Sequence, residues 1–375
     1  MKNNQILGKK RNDITMDKEY DYENEGIKRK RKNTKKKKKK NKFLKILVRI
    51  ILLLIILIVV MVGVLIGYVV NKLSKIDYEE KGLDNVEINE GVENEGYLNV
   101  ALFGIDARSN EYDQNSGSDT IMIVSLNKKT KEVKMVSVYR DSYLCYEDNK
   151  YTKLTDIYRK SGPEKTVSVL NKNLDLDISE YVAINFEVVA DVINYVGGIE
   201  IDVGKADMQW INGYIQENIK VTGIKSSNIP KAGKQKLDGI QALAYARIRY
   251  VGTDINRAER QREVLMKTFD KVKKMNAVQL NGLIDKVLPK VKTTISTPEI
   301  LGLATGMTQY NITKSEGFPY NWSDYQPAEV YYLAPRNLEE NVVKLHQELF
   351  GEEEYKVSSS LKKISDNLMT KTGIK

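Results

Sequence analysis

Residues 97–139 read YLNVALFGIDARSNEYDQNSGSDTIMIVSLNKKTKEVKMVSVY, and three apolar runs stand out within them. YLNVALFG (Tyr97–Gly104), DTIMIVSLN (Asp119–Asn127) and VKMVSVY (Val133–Tyr139) have the length and composition of buried strands. NKKTKE turns the second run back into the third. The period then changes. A helical stretch rich in turn residues runs to about Leu174, followed by a strand at YVAINF (181–186) and a helix at EVVADVINYV (187–196). After Gly197-Gly198 comes a strand at IEIDV (199–203), and LDGIQALAYA (237–246) reads as helix. Helices are expected from Asn256 to about Met275, from about Thr297 to Thr308 and from Asn337 to Phe350, with a strand near Val330–Leu333. Strands separated by helices of this length point to an α/β fold, a three-layer α/β/α domain around a mixed central sheet. Its expected limits are residues 97–352, with 353–375 as a loose C-terminal tail.

What precedes that domain has a different character. The chain of 375 residues carries a formal net charge of +10, and the excess is not evenly spread. Residues 1–49 hold 19 Lys and Arg against 6 Asp and Glu, whereas the remainder holds 41 against 44. A fold that binds nucleic-acid phosphates carries its positive charge on the domain itself, so no nucleic-acid partner is expected. Residues 1–42, ending in the run Lys35–Lys40, read as a disordered basic tail. No charged residue occurs from Ile50 to Val70, enough chain to cross a bilayer, so 43–71 reads as one transmembrane helix. Nothing after it resembles a cleavage site, which makes it an uncleaved signal-anchor. Lysines crowd its N-terminal side and an acidic linker (72–96) follows it. The expected topology is single-pass in the cell membrane, N-terminus cytoplasmic and domain extracytoplasmic.

The residue inventory narrows the chemistry. His346 is the single histidine and Cys145 the single cysteine, which rules out a His-ligated zinc site and a cysteine cluster. His346 reads as structural and Cys145 as a small buried apolar residue. Neither a Walker loop nor Gly-x-Gly-x-x-Gly occurs. Chemistry must therefore come from carboxylates, arginines and an oxygen-liganded metal.

Arginine is concentrated in AYARIRYVGTDINRAERQR (244–262), which holds Arg247, Arg249, Arg257, Arg260 and Arg262. Arg247 and Arg249, two apart on an extended exit, would point the same way. Gly252, Thr253 and Asp254 supply a turn and a helix start, and Asp254, Arg257 and Gln261 then share one helix face. Planar guanidinium forks beside a helix N-terminus suit phosphate or pyrophosphate. Elsewhere, Asp106 and Arg108 follow the first strand, Asp119 opens the second, and Arg140 and Asp141 follow the third, with Lys153 beyond. Asp106 and Asp119, with Ser118 and Thr120 beside them, suit Mg²⁺ or Mn²⁺.

With these residues in view the sequence resembles the LytR-CpsA-Psr family of membrane-anchored envelope enzymes. The resemblance runs from about Asn99 to Arg262, through NVALFGIDAR, SDTIMIVS, SVYRDS, YVAINFE, VGGIEIDV, DGIQALAYARIR and DINRAERQ. It implies a phosphotransferase that moves a glycopolymer (teichoic acid, capsule or related) from a polyprenyl-pyrophosphate carrier onto peptidoglycan. It further implies Mg²⁺ on Asp106 and Asp119, with the lipid in an apolar channel between sheet and helices. Pyrophosphate contacts would come from Arg140, Arg247, Arg249, Arg257 and Gln261, with Arg108 and Lys153 as further candidates. The resemblance implies that Arg140, Arg257 and Asp254 would form the catalytic group, Asp254 orienting or deprotonating the acceptor. The chain departs from the family where Gly117 replaces an arginine, Tyr139 a proline, and KLTDIY the usual Lys-x-Asn. Two other classes stay open: a non-catalytic receptor for lipid-linked precursors, and an envelope-related transcriptional regulator.

Overall fold

The computed structural model describes residues 77–78, 83, 85–105 and 116–374. The basic tail, the 43–71 span, Asp106 and Arg108 lie outside the described residues. In chain order the described strands begin with β1 (Asp77–Tyr78), β2 (Tyr97–Ile105), β3 (Ser118–Asn127) and β4 (Glu132–Val138). The hairpin β5 (Tyr143–Glu147) and β6 (Lys150–Lys153) leads into α1 (Leu154–Leu174), β7 (Glu180–Asn185), α2 (Phe186–Tyr195) and β8 (Ile199–Val203). Then come α3 (Met208–Thr222), β9 (Gly233–Leu237), α4 (Gly239–Arg247), α5 (Asp254–Val272), α6 (Ala277–Val287) and β10 (Lys292–Thr293). The remainder is α7 (Thr297–Gly306), β11 (Asn311–Phe318), β12 (Trp322–Tyr325), β13 (Tyr332–Pro335), α8 (Leu338–Phe350) and α9 (Ser359–Thr372).

Among the described residues the main sheet has seven strands in the order β1-β10-β7-β2-β3-β4-β11. It is mixed, as expected: β2 pairs antiparallel with β3 and parallel with β7, and β4 pairs antiparallel with β3 and parallel with β11. Alternate residues of the central strands face two different layers. Phe103, Ile105, Ile121, Ile123, Val136 and Val138 face one, which α1, α8 and α9 complete through Leu170, Leu345 and Leu361. Leu98, Val124, Leu126 and Met135 face the other, against Leu265, Met266 and Phe269 of α5. On that second side α2, α3, α4 and the β8–β9 pair share a core of their own around Ile193, Ile201, Ile215 and Ala244.

Two expected boundaries need correction. Residues 353–375 are not a loose tail: Ser358 caps α9, whose Leu361, Ser365 and Leu368 are buried against the first layer. Nor is all of 72–96 a linker. Asn89 donates to Asp175 Oδ1 (2.6 Å), the Asn94 backbone donates to Asp177 (2.7 Å), and Val86 packs on the core. Both segments read as polar because few of their residues are apolar; buried Asp175 holds both, and Asp177 helps hold the first. The Asp175 carboxylate also accepts from the Ser358 backbone and hydroxyl, both at 2.7 Å. His346 is structural, as expected. It is fully buried, its ring nitrogens lie 3.0 Å from the Leu174 carbonyl and 3.3 Å from Glu352, and it stacks on Tyr355. Cys145 is half-buried on β5 rather than enclosed, and burial raises its thiol pKa, which does not suit a nucleophile.

Candidate active site

The site forms where β2 ends, β3 begins and the arginine-rich segment crosses them. Ile105 pairs with Ser118 and Gly104 with Thr120 across a register shift, which leaves Asp119 as the unpaired bulge residue at the start of β3. Thr253 and Asn256 form a reciprocal capping box that starts α5, and this turn aims the first residues of α5 at Asp119. The sheet and helices α2, α4 and α5 enclose a cavity of about 420 Å³. Its walls are apolar over most of their length (Leu102, Met122, Val189, Leu243, Leu265), and its polar end carries Asp119, Arg249, Arg257 and Gln261. A smaller adjoining cleft is lined by Asp119, Arg140, Asp254, Arg257 and Gln261.

Asp119 is the centre of the charge network. Arg140 Nη1 donates to its Oδ1 and Arg249 Nη2 to its Oδ2, each at 2.6 Å, and Arg257 Nη2 donates to its backbone carbonyl at 3.2 Å. Burial opposes ionisation of Asp119, but Arg257, Arg140 and Arg249 outweigh it and hold its carboxyl below the usual range. Asp254 behaves oppositely. Burial pushes its carboxyl up, and Arg257 (2.9 Å) and Arg140 (3.5 Å) pull it back only in part. One site thus holds one carboxylate kept charged and one primed to take a proton.

Arg257 is 2% exposed, yet its Nε and Nη1 have no hydrogen-bond partner. A buried guanidinium with two unmet donors on a cavity wall suits an anionic ligand in that cavity. The other expected residues divide. Arg249 and Gln261 line the cavity. Arg247 reaches it by a different route: it is the last residue of α4, not part of an extended exit. Its guanidinium bonds Glu217 (3.0 Å) and Asn218 and lies over the Phe186 ring (4.5 Å). Lys153 lines neither space; it pairs with Asp141 (3.0 Å), which in turn lies 3.7 Å from Arg140, and its ammonium lies over the Tyr331 and Tyr332 rings. Arg260 turns away, donating to the Ile248 and Val251 carbonyls at 2.6 and 3.2 Å, so it holds the loop rather than a ligand. Glu217, Asn218 and Phe186, which position Arg247, carry no signal in the local sequence.

Two departures acquire a setting. A Cβ on Gly117 would stand 3.0 Å from the Arg159 guanidinium, so an arginine of α1 occupies the space beside that glycine. Tyr139, in place of proline, lies over Gly317 of β11, where any side chain would collide with its ring.

A family model, LytR_cpsA_psr, matches residues 64–348. The chain belongs to the LytR-CpsA-Psr family. Among its relatives is the polyisoprenyl-teichoic acid–peptidoglycan teichoic acid transferase TagT of Bacillus subtilis (strain 168), 32% identical over 257 residues, 67% of this chain and 77% of the relative. Solved structures agree. TagT bound to LIIa-WTA superposes with a TM-score of 0.55 at 27% identity, covering 72% of this chain and 99% of that one. The same protein with bound octaprenyl pyrophosphate lipid gives 0.50 at 26% identity, covering 71% and 99%.

Proposed function

We propose that this member of the LytR-CpsA-Psr family is a phosphotransferase that moves a glycopolymer from a polyprenyl-pyrophosphate carrier onto peptidoglycan. The observation that carries this is the buried, under-satisfied Arg257 at the polar end of an apolar cavity. A prenyl chain gains about 0.8 kcal/mol per methylene taken out of water there. The pyrophosphate then meets Arg257, Arg249 and Arg140 at the cavity's end. Relatives named as teichoic acid transferases, one of them seen with octaprenyl pyrophosphate, support the same assignment.

The geometry supports the following reaction. An acceptor hydroxyl attacks the sugar-bearing phosphorus, the bridging P–O bond breaks, and polyprenyl phosphate leaves. Arg140, Arg249 and Arg257 hold the phosphate oxygens in place and offset the charge that develops on them. Asp254, with its raised pKa, accepts the hydroxyl proton late in the step. Arg247, stacked on Phe186 and anchored by Glu217, orients the lipid-side phosphate. Asp119 fits a hard divalent cation in being a half-buried carboxylate held in its charged form, whose two oxygens now accept from Arg140 and Arg249. Together with Asp106 it would hold Mg²⁺, which would add further neutralisation when bound. The topology proposed with this function is a single span at 43–71, with the domain outside the cytoplasmic membrane.

The test uses the full chain in detergent with a polyprenyl-pyrophosphate glycan and peptidoglycan fragments, with and without excess EDTA. The expected product is a glycan–phosphate–peptidoglycan conjugate identified by mass, formed only without EDTA. Binding of the lipid without turnover under any metal condition would instead favour a receptor.

A further inference from the structure

Resting on that reading, we propose that Trp210 and Tyr250 form a stacking platform for the first sugar ring attached to the pyrophosphate. Trp210 lies in the first turn of α3 and Tyr250 in the loop between α4 and α5, forty residues apart in sequence. Their ring centroids are 4.4 Å apart with the planes inclined by 31°. Both are solvent-accessible, Tyr250 at 68% and Trp210 at 39%, which is unusual for two rings already in contact. Tyr250 also lines the cavity and is joined directly to Arg249, whose guanidinium grips Asp119.

Position argues for a sugar. A lipid-linked glycan has its prenyl chain on one phosphorus and its sugar on the other. With the chain along the apolar walls and the pyrophosphate at the arginines, the sugar leaves the cavity at its polar end. Tyr250, next to Arg249 in sequence, lines the cavity, and Trp210 lies against it. A pyranose presents a face of C–H bonds with partial positive charge, which packs on the negative face of an aromatic ring. Trp210 backs Tyr250 and limits its rotation, so the outer ring face is held ready at little entropic cost. A bilayer surface is the other chemistry that favours Trp and Tyr. It is less well matched, because Tyr250 lines the cavity and follows directly on Arg249, which holds Asp119.

The experiment measures binding by the full chain in detergent micelles to two probes: a polyprenyl pyrophosphate, and the same lipid bearing one N-acetylhexosamine. Tyr250→Ala and Trp210→Ala are expected to weaken the sugar-bearing probe about three- to tenfold more than the sugar-free one. Tyr250→Phe, which keeps the ring, should bind both like the unsubstituted chain. Equal losses for both probes, or no loss for either, would overturn the platform, and a matching fall in binding to anionic lipid vesicles would assign the pair to a membrane instead. Should the unsubstituted chain bind neither probe, the functional reading itself fails and the platform with it.

Discussion

The two faces of the central sheet are built from the same strands and have been put to opposite uses. On one, Phe103 and Tyr181 are fully buried and Ile105 is 1% exposed, sealed under α1, α8 and α9. On the other, the intervening residues Leu102, Gly104 and Thr120 border an open cavity of about 420 Å³. Gly104 is part of the reason: a Cβ there would stand 2.8 Å from the Thr120 Cβ, so a larger residue would crowd the cavity's polar end. The packed face supplies stability, and the other gives up packing to hold a ligand. The contrast shows how period-2 alternation lets one set of strands serve both purposes.

That contrast can be broken most severely at Phe103. Phe103→Ala should lower unfolding free energy by about 3–5 kcal/mol, read as a fall in urea midpoint. Leu102→Ala, one residue away on the cavity face, should cost about 2 kcal/mol or less, because part of its surroundings is already open. Equal costs would mean that the two faces do not differ as described.

Arg257→Ala tests the ligand side. Loss of a charge-assisted contact of about 1.5–3 kcal/mol should weaken polyprenyl pyrophosphate binding roughly ten- to a hundredfold. Arg257→Lys should recover only part, since the ammonium keeps the charge and loses the fork. Arg247→Ala should weaken binding less, because Glu217 and Asn218 already occupy part of its guanidinium. Binding at wild-type strength by all three variants would remove the arginine segment from the site.

The smallest effects are those of pH, and they carry opposite signs. Asp119 has a lowered pKa, so its contribution to stability is full above the unfolded aspartate pKa and is lost as pH falls through the lower folded value. Asp254 has a raised pKa, so its contribution is present at low pH and is lost as pH rises through the folded value. Melting temperatures across an acid pH series should therefore lose the low-pH dependence in Asp119→Asn and the higher-pH dependence in Asp254→Asn. Turnover should fall in acid below the Asp254 pKa, above the ordinary aspartate value. A turnover profile flat down to that ordinary value would exclude Asp254 as the proton acceptor.

Local chemistry made much of this protein readable from sequence. Alternation and apolar runs marked β2, β3, β4 and β7, because a strand's burial is written at every second residue. The turn before Asp254, and the shared helix face of Asp254, Arg257 and Gln261, were equally legible, since both depend on residues within two helical turns. Weakly patterned elements escaped: β9 is GKQKL, β11 is NITKSEGF, and α3 carries few fully buried residues. Their placement depends on partners far along the chain, as does that of α9, held by Asp175, and that of the 85–96 segment, held by Asp175 and Asp177. The same limit applies at the site. Sequence alone placed five arginines in one window, but only the tertiary structure separated Arg260, which donates to loop carbonyls and lines neither cavity, from Arg257, left with unmet donors on a cavity wall. Asp119 and Arg249 meet across 130 residues at 2.6 Å, and Trp210 meets Tyr250 across forty. Hydrophobic period and capping act over a few residues, whereas the direction of a guanidinium is set by whichever distant carboxylates and carbonyls the completed fold brings within reach.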